Sequence, residues 1–158
     1  MNLSGQAEHR GFPVSGGRYL LLITLDETTK LTIGRLGEFH FDHGNYAYIG
    51  SAFGPGGLSA RIKRHLRQAG EKRQHWHIDH LLTVAGIRDV GWSTEVRFSE
   101  CDWSRSLAEQ GRHWPPRFGA SDCGCEGHLV QFEGQIRTET IAHAITDRIH
   151  FNQHKITA

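Results

Sequence analysis

A chain of 158 residues with a formal net charge of +1 most simply forms one domain, long enough to bury a core of its own. Its 37% hydrophobic and 22% charged residues are ordinary soluble composition, and no run approaches the roughly 18 apolar residues that a membrane helix needs. An odd cysteine count (Cys101, Cys123, Cys125) is a poor disulfide framework, and residues 1–16 lack the apolar core of a signal peptide, so a cytoplasmic location away from membranes is expected.

Residues 1–16 are polar and glycine-rich and read as a flexible arm. Tyr19 to Leu25 is a near-continuous apolar run, the pattern of a strand buried on both faces. Lys30 to Leu36 alternates and predicts a second strand, and Gly37 to His43 a short third. Asn45 to Gly50 predicts another, and Leu58, Ile62 and Leu66 set the stripe of a helix that ends near Gly70. A second helix is expected over Trp76–Ala85 on Ile78, Leu81, Leu82 and Ala85. Residues 87–98 read as a strand pair or one bent strand, with Val96 and Phe98 inward. Glu100 to Gln110 predicts a third helix burying Trp103 and Leu107. Gly111 to Cys125 is a long irregular segment of the kind that often carries function, and His128 to Phe132 is a closing strand. Thr138, as cap, opens a last helix to Ile149 on Ile141, Ile145 and Ile149. The expected fold is α+β: a mainly antiparallel mixed sheet of about five strands flanked by three to four helices.

The chemistry concentrates in Tyr46 to Arg67. A strand ends there in a glycine-rich turn, and the next helix carries Arg61 and His65 four residues apart on a second face. Helix N-terminal N–H groups and a guanidinium both favour a phosphate. Arg61, Lys63, Arg64, Arg67, Lys72 and Arg73 form a basic ridge against one acid, Glu71, which suits a nucleic-acid backbone. A bare run of this kind is more often a solvated helix face; the glycine-rich loop beside it favours phosphate. With 12 histidines, anion affinity is expected to rise as pH falls below neutral.

Gly17-Arg18-Tyr19, Tyr48-Ile49-Gly50 and Arg61 together resemble the GIY-YIG nuclease superfamily. The resemblance is closer to a small stand-alone branch marked by YIGSA-G-GGL-R-RHLR, HWHID-LL and SDC-C-HL, all present between about residues 16 and 132. It implies a GIY-YIG domain over 17–135, with 136–158 as a C-terminal helix packed on or appended to it. It implies a metal-dependent endonuclease hydrolysing phosphodiester bonds of nucleic acid, DNA in the first place. Tyr19, Tyr48, Arg61, His65 and Glu100 would be catalytic, and Glu100 would hold Mg²⁺ or Mn²⁺, with Glu95 as runner-up for that glutamate. Gly50, Lys63, Arg64, Arg67, His75 and Trp76 are expected at phosphates or bases. Tyr46 also stands in a G-x-Y triplet, but lies only two residues from Tyr48 and is assigned to packing. The gap from Tyr19 to Tyr48 exceeds a short hairpin and implies an inserted strand. A partner protein supplying specificity fits the lack of an attached targeting domain. The alternative is a non-catalytic nucleic-acid-binding module on the same fold.

Two further clusters bear on metals. His75-Trp76-His77-Ile78-Asp79-His80 matches the H-x-H-x-D-H run of zinc hydrolases, but Glu71-Lys72-Arg73-Gln74 stands where an apolar strand should precede it. A structural or substrate-contacting role suits it better. Cys123-Gly124-Cys125 with His128 suggests a structural Zn²⁺, its fourth ligand from His75, His77 or His113. Otherwise these cysteines are small buried thiols.

Overall fold

The structure, a computed structural model, describes residues 11–67, 69–95, 97–145 and 147–153. Six strands form one wholly antiparallel sheet in the order β6-β7-β4-β1-β5-β8: β1 (Gly17–Leu25), β4 (Gly44–Ala52), β5 (Gly86–Ser93), β6 (Gly111–His113), β7 (Leu129–Phe132) and β8 (His150–Gln153). A separate ribbon pairs β2 (Thr29–Ile33) with β3 (Gly37–Phe41). Among the described residues four α-helices flank these: α1 (Gly57–Leu66), α2 (His77–Leu81), α3 (Glu100–Ala108) and α4 (Thr138–Ala144).

The continuous apolar run of β1 has its reason in this layering. Tyr19, Leu21, Ile23 and Leu25 face a core with Leu58 and Ile62 of α1 and Ile78 and Leu81 of α2. Leu20 and Leu22 face the other way, into a core with Trp103 and Leu107 of α3 and Ile141 of α4. Each such apolar side chain contributes about 1.5–3 kcal/mol when fully buried. The gap between Tyr19 and Tyr48 is filled by the β2–β3 ribbon, which leaves the main sheet. β1 and β4 therefore pair directly, Leu21 opposite Tyr48 and Tyr19 opposite Gly50.

Several expectations are corrected. The second helix is only the short α2, not Trp76–Ala85. Phe98 is 40% exposed rather than inward, because Asp147 takes the N–H groups of Arg97 and Phe98 and turns this segment outward. Val96 lies outside the described residues. Thr138 does not cap α4: its N-cap is Arg137, with no side-chain cap. The helix stops at Ala144, and the chain returns as β8 along β5, where His150 stacks on Trp92 at 4.5 Å. β7 is interior to the sheet because β6 pairs outside it, and β8 is the opposite edge. Of the expected arm, residues 1–10 lie outside the described residues, whereas residues 13–15 dock on α1. No helix among the described residues is long and apolar enough to cross a membrane.

Candidate functional site

Tyr19, Tyr48, Arg61, His65 and Trp76 come together on the α1 side of the sheet. The Tyr19 hydroxyl lies 2.6 Å from His65 Nε2, and the His65 ring lies near Tyr48 and Trp76, at centroid separations of 6.0 and 5.6 Å. Tyr19 is 1% exposed, His65 2% and Tyr48 8%. Burial sets their chemistry. It pushes the Tyr19 phenol well up, the Arg61 guanidinium opposing it, and it raises Tyr48. It drives His65 down to about 3, helped by Lys72, so the imidazole is neutral at physiological pH. Tyr48 makes no side-chain hydrogen bond among the described residues.

Gly50 has a packing reason. A Cβ there would stand 2.5 Å from the Tyr19 hydroxyl, so the glycine leaves the space through which the phenol reaches His65. Tyr46 is fully buried and donates to Asp42 O at 2.6 Å, a packing residue as expected.

The helix start does not offer its N–H groups to an anion. Leu58 N–H donates to Ser15 O and Ser59 N–H to Pro13 O. Gly57 makes that docking possible, with φ +59 and no space for a Cβ beside Val14 O and Ser15 O. This corrects the expected phosphate cradle and leaves side chains as the anion-binding groups. Arg61 is half-buried, with Nη1 donating to Ser51 O at 3.3 Å and its guanidinium 4.5 Å from the Trp76 ring centroid. Arg64 is committed elsewhere. It forks onto Asp79 through two 2.9 Å bonds, donates to Arg73 O and covers Trp76 at 4.1 Å. Asp79, fully buried, also accepts from the His75 and Trp76 N–H groups. Burial alone would raise its carboxyl, but the Arg64 bonds and these N–H donors hold it at about 2. Lys72 donates to His65 O and tethers the end of α1. Lys63, Arg67, Arg73 and His75 stand exposed. The basic ridge is thus about half structural.

The HWHIDH run does not gather around a metal. Asp79 belongs to Arg64, His77 Nδ1 accepts from Gly119 N, and His75 is exposed beside Trp76. Burial also lowers His77 and His128, so with His65 they supply less of the charge expected just below neutral pH.

The other wall lies on the α3 side. Ser99 caps α3 by accepting from Asp102 N, which sets Glu100 and Cys101 in the first turn. Glu100 Oε2 stands 3.2 Å from His128 Nδ1, and Oε1 is 3.9 Å from Arg18 Nη1. Glu95 is exposed beyond β5. Cys101, Cys123, Cys125 and His128 bring their ligand atoms within 4.8 Å of one another, the one such metal-ligating group among the described residues. The fourth candidate ligand is therefore Cys101, not a histidine. His113 bonds Ser104 and Glu126 instead. Arg117 ties the ligand loop through the carbonyls of Ala120, Cys123 and Cys125. Burial and the two neighbouring thiols push Cys101 up to about 12, so the three sulfurs do not ionise together unless a cation offsets them.

The walls meet at Ser51. Its carbonyl accepts from Arg61 and its hydroxyl from Arg18, which faces Glu100. Gly119 packs between the Tyr48 ring and His128, its position for a Cβ only 3.2 Å from each. Arg18, Glu100, Cys123 and His128 line a cleft of about 310 Å³. Sequence reasoning missed Arg18, Ser51 and Cys101, although Arg18 stands inside the G-R-Y triplet and Ser51 directly follows Y-I-G.

Comparison with protein families matches residues 18–150 to the family described as Domain of unknown function DUF123. The chain belongs to this family. DUF123 is a GIY-YIG-like family, in keeping with the resemblance carried by Tyr48-Ile49-Gly50 and Arg61. Comparison with curated proteins gives no match, and comparison with solved structures gives none either.

Proposed function

We propose that this DUF123 chain is a metal-dependent endonuclease that hydrolyses phosphodiester bonds, with DNA as its first expected substrate. The observation that carries the reading is Arg61: a half-buried guanidinium, steadied by Ser51 O and Trp76, beside two tyrosines at the foot of an exposed basic ridge. In the reaction, water adds to phosphorus, the bond to the leaving sugar oxygen breaks, and the water's proton passes through solvent to that oxygen. Arg61 clamps the scissile phosphate and offsets the charge that grows on its oxygens. Both phenols stay protonated near neutral pH, so Tyr48 places the attacking water rather than taking its proton. Buried, neutral His65 holds Tyr19 and so keeps this wall rigid. Lys63 and Arg67 track the backbone of the strand, and Trp76 and His75 offer ring faces to a base.

Glu100 fits a water-rich Mg²⁺ or Mn²⁺, because Oε1, 3.9 Å from Arg18 Nη1, makes no hydrogen bond among the described residues, and such ions are held by one or two carboxylates with substrate and water. An ion there would supply Lewis acidity at the phosphate. A second cation belongs to the cysteine cluster, and its soft donors select zinc. A protein partner supplies substrate choice.

The test is cleavage of single-stranded, duplex and branched DNA with Mg²⁺ or Mn²⁺, comparing the wild type with Arg61→Ala and Glu100→Ala. The expected result is metal-dependent cutting that falls about 100- to 1,000-fold on loss of Arg61. Binding without cutting by the wild type assigns the chain to the non-catalytic reading. Cutting that survives both substitutions overturns the site.

A further inference from the structure

We infer that zinc held by Cys101, Cys123, Cys125 and His128 positions Glu100, through a hydrogen bond from the far side of the His128 ring, so that the metal centre orients the glutamate of the nuclease site. The inference rests on the zinc reading above and deepens it.

The donor geometry supports a closed four-coordinate centre. With Zn–S near 2.3 Å and Zn–N near 2.0 Å, a tetrahedral site separates its ligand atoms by ~3.5–3.8 Å. Here Cys123 Sγ and Cys125 Sγ are 3.2 Å apart, and His128 Nε2 lies 3.4, 3.1 and 3.9 Å from the sulfurs of Cys123, Cys125 and Cys101. Two ligands come from one loop, one from the first turn of α3 and one from the residue entering β7. The centre therefore fastens the long loop and α3 to the sheet. No ligand position is left open, so the role of this metal is structural.

His128 has its two nitrogens assigned by what each faces. Nε2 points among the sulfurs, so Nδ1 carries the proton in a metal-bound neutral imidazole. Nδ1 faces Glu100 Oε2 at an ion-pair distance of 3.2 Å, and the proposed metal, by fixing the ring, turns this contact into a hydrogen bond. A metal-ligating histidine whose other nitrogen donates to a carboxylate is a recurrent outer-shell arrangement that fixes tautomer and ring angle. The bond acts in both directions. It raises the basicity of the ligand, and it fixes one oxygen of Glu100 so that Oε1 is turned toward Arg18 and the Ser51 junction. Glu100 therefore holds two stations: outer partner of one metal and inner ligand of another. The loop carries its own charge compensation, because Arg117 lies against the Cys123 and Cys125 carbonyls.

The test uses the full chain and does not depend on cleavage. Purified protein is assayed for zinc, then reloaded with Co²⁺ as a spectroscopic probe. About one zinc per chain, with cobalt–thiolate charge-transfer absorption and intense tetrahedral bands, is expected. Cys101→Ser should weaken these even if the fold survives. Zinc affinity is then measured by chelator competition in wild type, Glu100→Gln and Glu100→Ala. Glu100→Ala should lower it about 10- to 100-fold, with a smaller loss for Glu100→Gln, which keeps an acceptor. In zinc-loaded protein, the Nδ1 proton of His128 should be visible by nitrogen-15 NMR and should exchange faster in Glu100→Ala. A chain that takes up neither zinc nor cobalt overturns the zinc reading and this inference with it. Stoichiometric zinc with affinity and proton exchange unchanged in Glu100→Ala overturns the coupling alone. Intact coupling in a chain that cuts no DNA leaves this inference standing and removes only the nuclease reading.

Discussion

The wall on α1 and the wall on α3 meet at Ser51 but are held in different ways. On α1, regular elements place each group. Tyr19 and Tyr48 come from adjacent strands in a fixed register, Arg61 and His65 from one helix face, and a buried ion pair between Arg64 and Asp79 anchors the segment after it. On α3, one capped helix turn meets an irregular loop, and the four ligand atoms converge because the side chains aim at a common point. The first wall has its rigidity from backbone pairing and apolar burial. The second crowds three sulfurs and an imidazole into a group that could hold a metal ion. A site built at this junction can therefore lose one wall and keep the other.

The contrast can be broken from the α1 side most forcefully at Asp79. Replacing it by alanine leaves the Arg64 fork and the His75 and Trp76 N–H groups unpaired. Destabilisation of about 3–5 kcal/mol is expected in denaturant titration, with zinc content unchanged. A loss under 1 kcal/mol means the ion pair does not anchor this wall.

A smaller effect is expected from pH. His65 has its pKa lowered from 6.5 to about 3 by burial, so below pH 6.5 the unfolded chain takes up a proton that the folded chain refuses. Stability is therefore full above 6.5 and is lost as pH falls toward 3. Between pH 7 and 5 the loss amounts to about 2 kcal/mol at roughly 1.4 kcal/mol per unit. His65→Gln should flatten this slope in urea unfolding at several pH values, and an unchanged slope assigns it to other groups.

The smallest effect belongs to the exposed ridge. Lys63→Ala and Arg67→Ala should each weaken DNA binding evenly across sequences and reduce the slope of log affinity against log salt by about 1. Arg73 is the matched exposed control outside α1. An equal change for Arg73→Ala would show that the ridge acts only through its net charge.

The sequence alone carried the α+β class, the doubly buried β1, the stripe of α1 and the pairing of Trp103 with Leu107 on α3. These follow from local periodicity, which a chain displays whatever it packs against. It also showed Tyr48 and Arg61 together, because a strand end, a tight turn and a helix start occupy one continuous segment. The length of α2, the end of α4 and the outward turn of Phe98 were not legible, since each depends on a distant partner: Arg64 on Asp79, β5 beside β8, and Asp147 beneath residues 97–98. The candidate metal cluster was legible in part. Cys123, Cys125 and His128 share one short stretch, whereas Cys101 enters from a helix more than twenty residues earlier. Gly50 and Glu100 show the limit most clearly. The chain names them as a motif glycine and a helix-opening acid. Only the tertiary structure makes the first a space for the Tyr19 ring and sets the second between Arg18 and His128, because contacts across a sheet are fixed by register and packing rather than by distance along the chain.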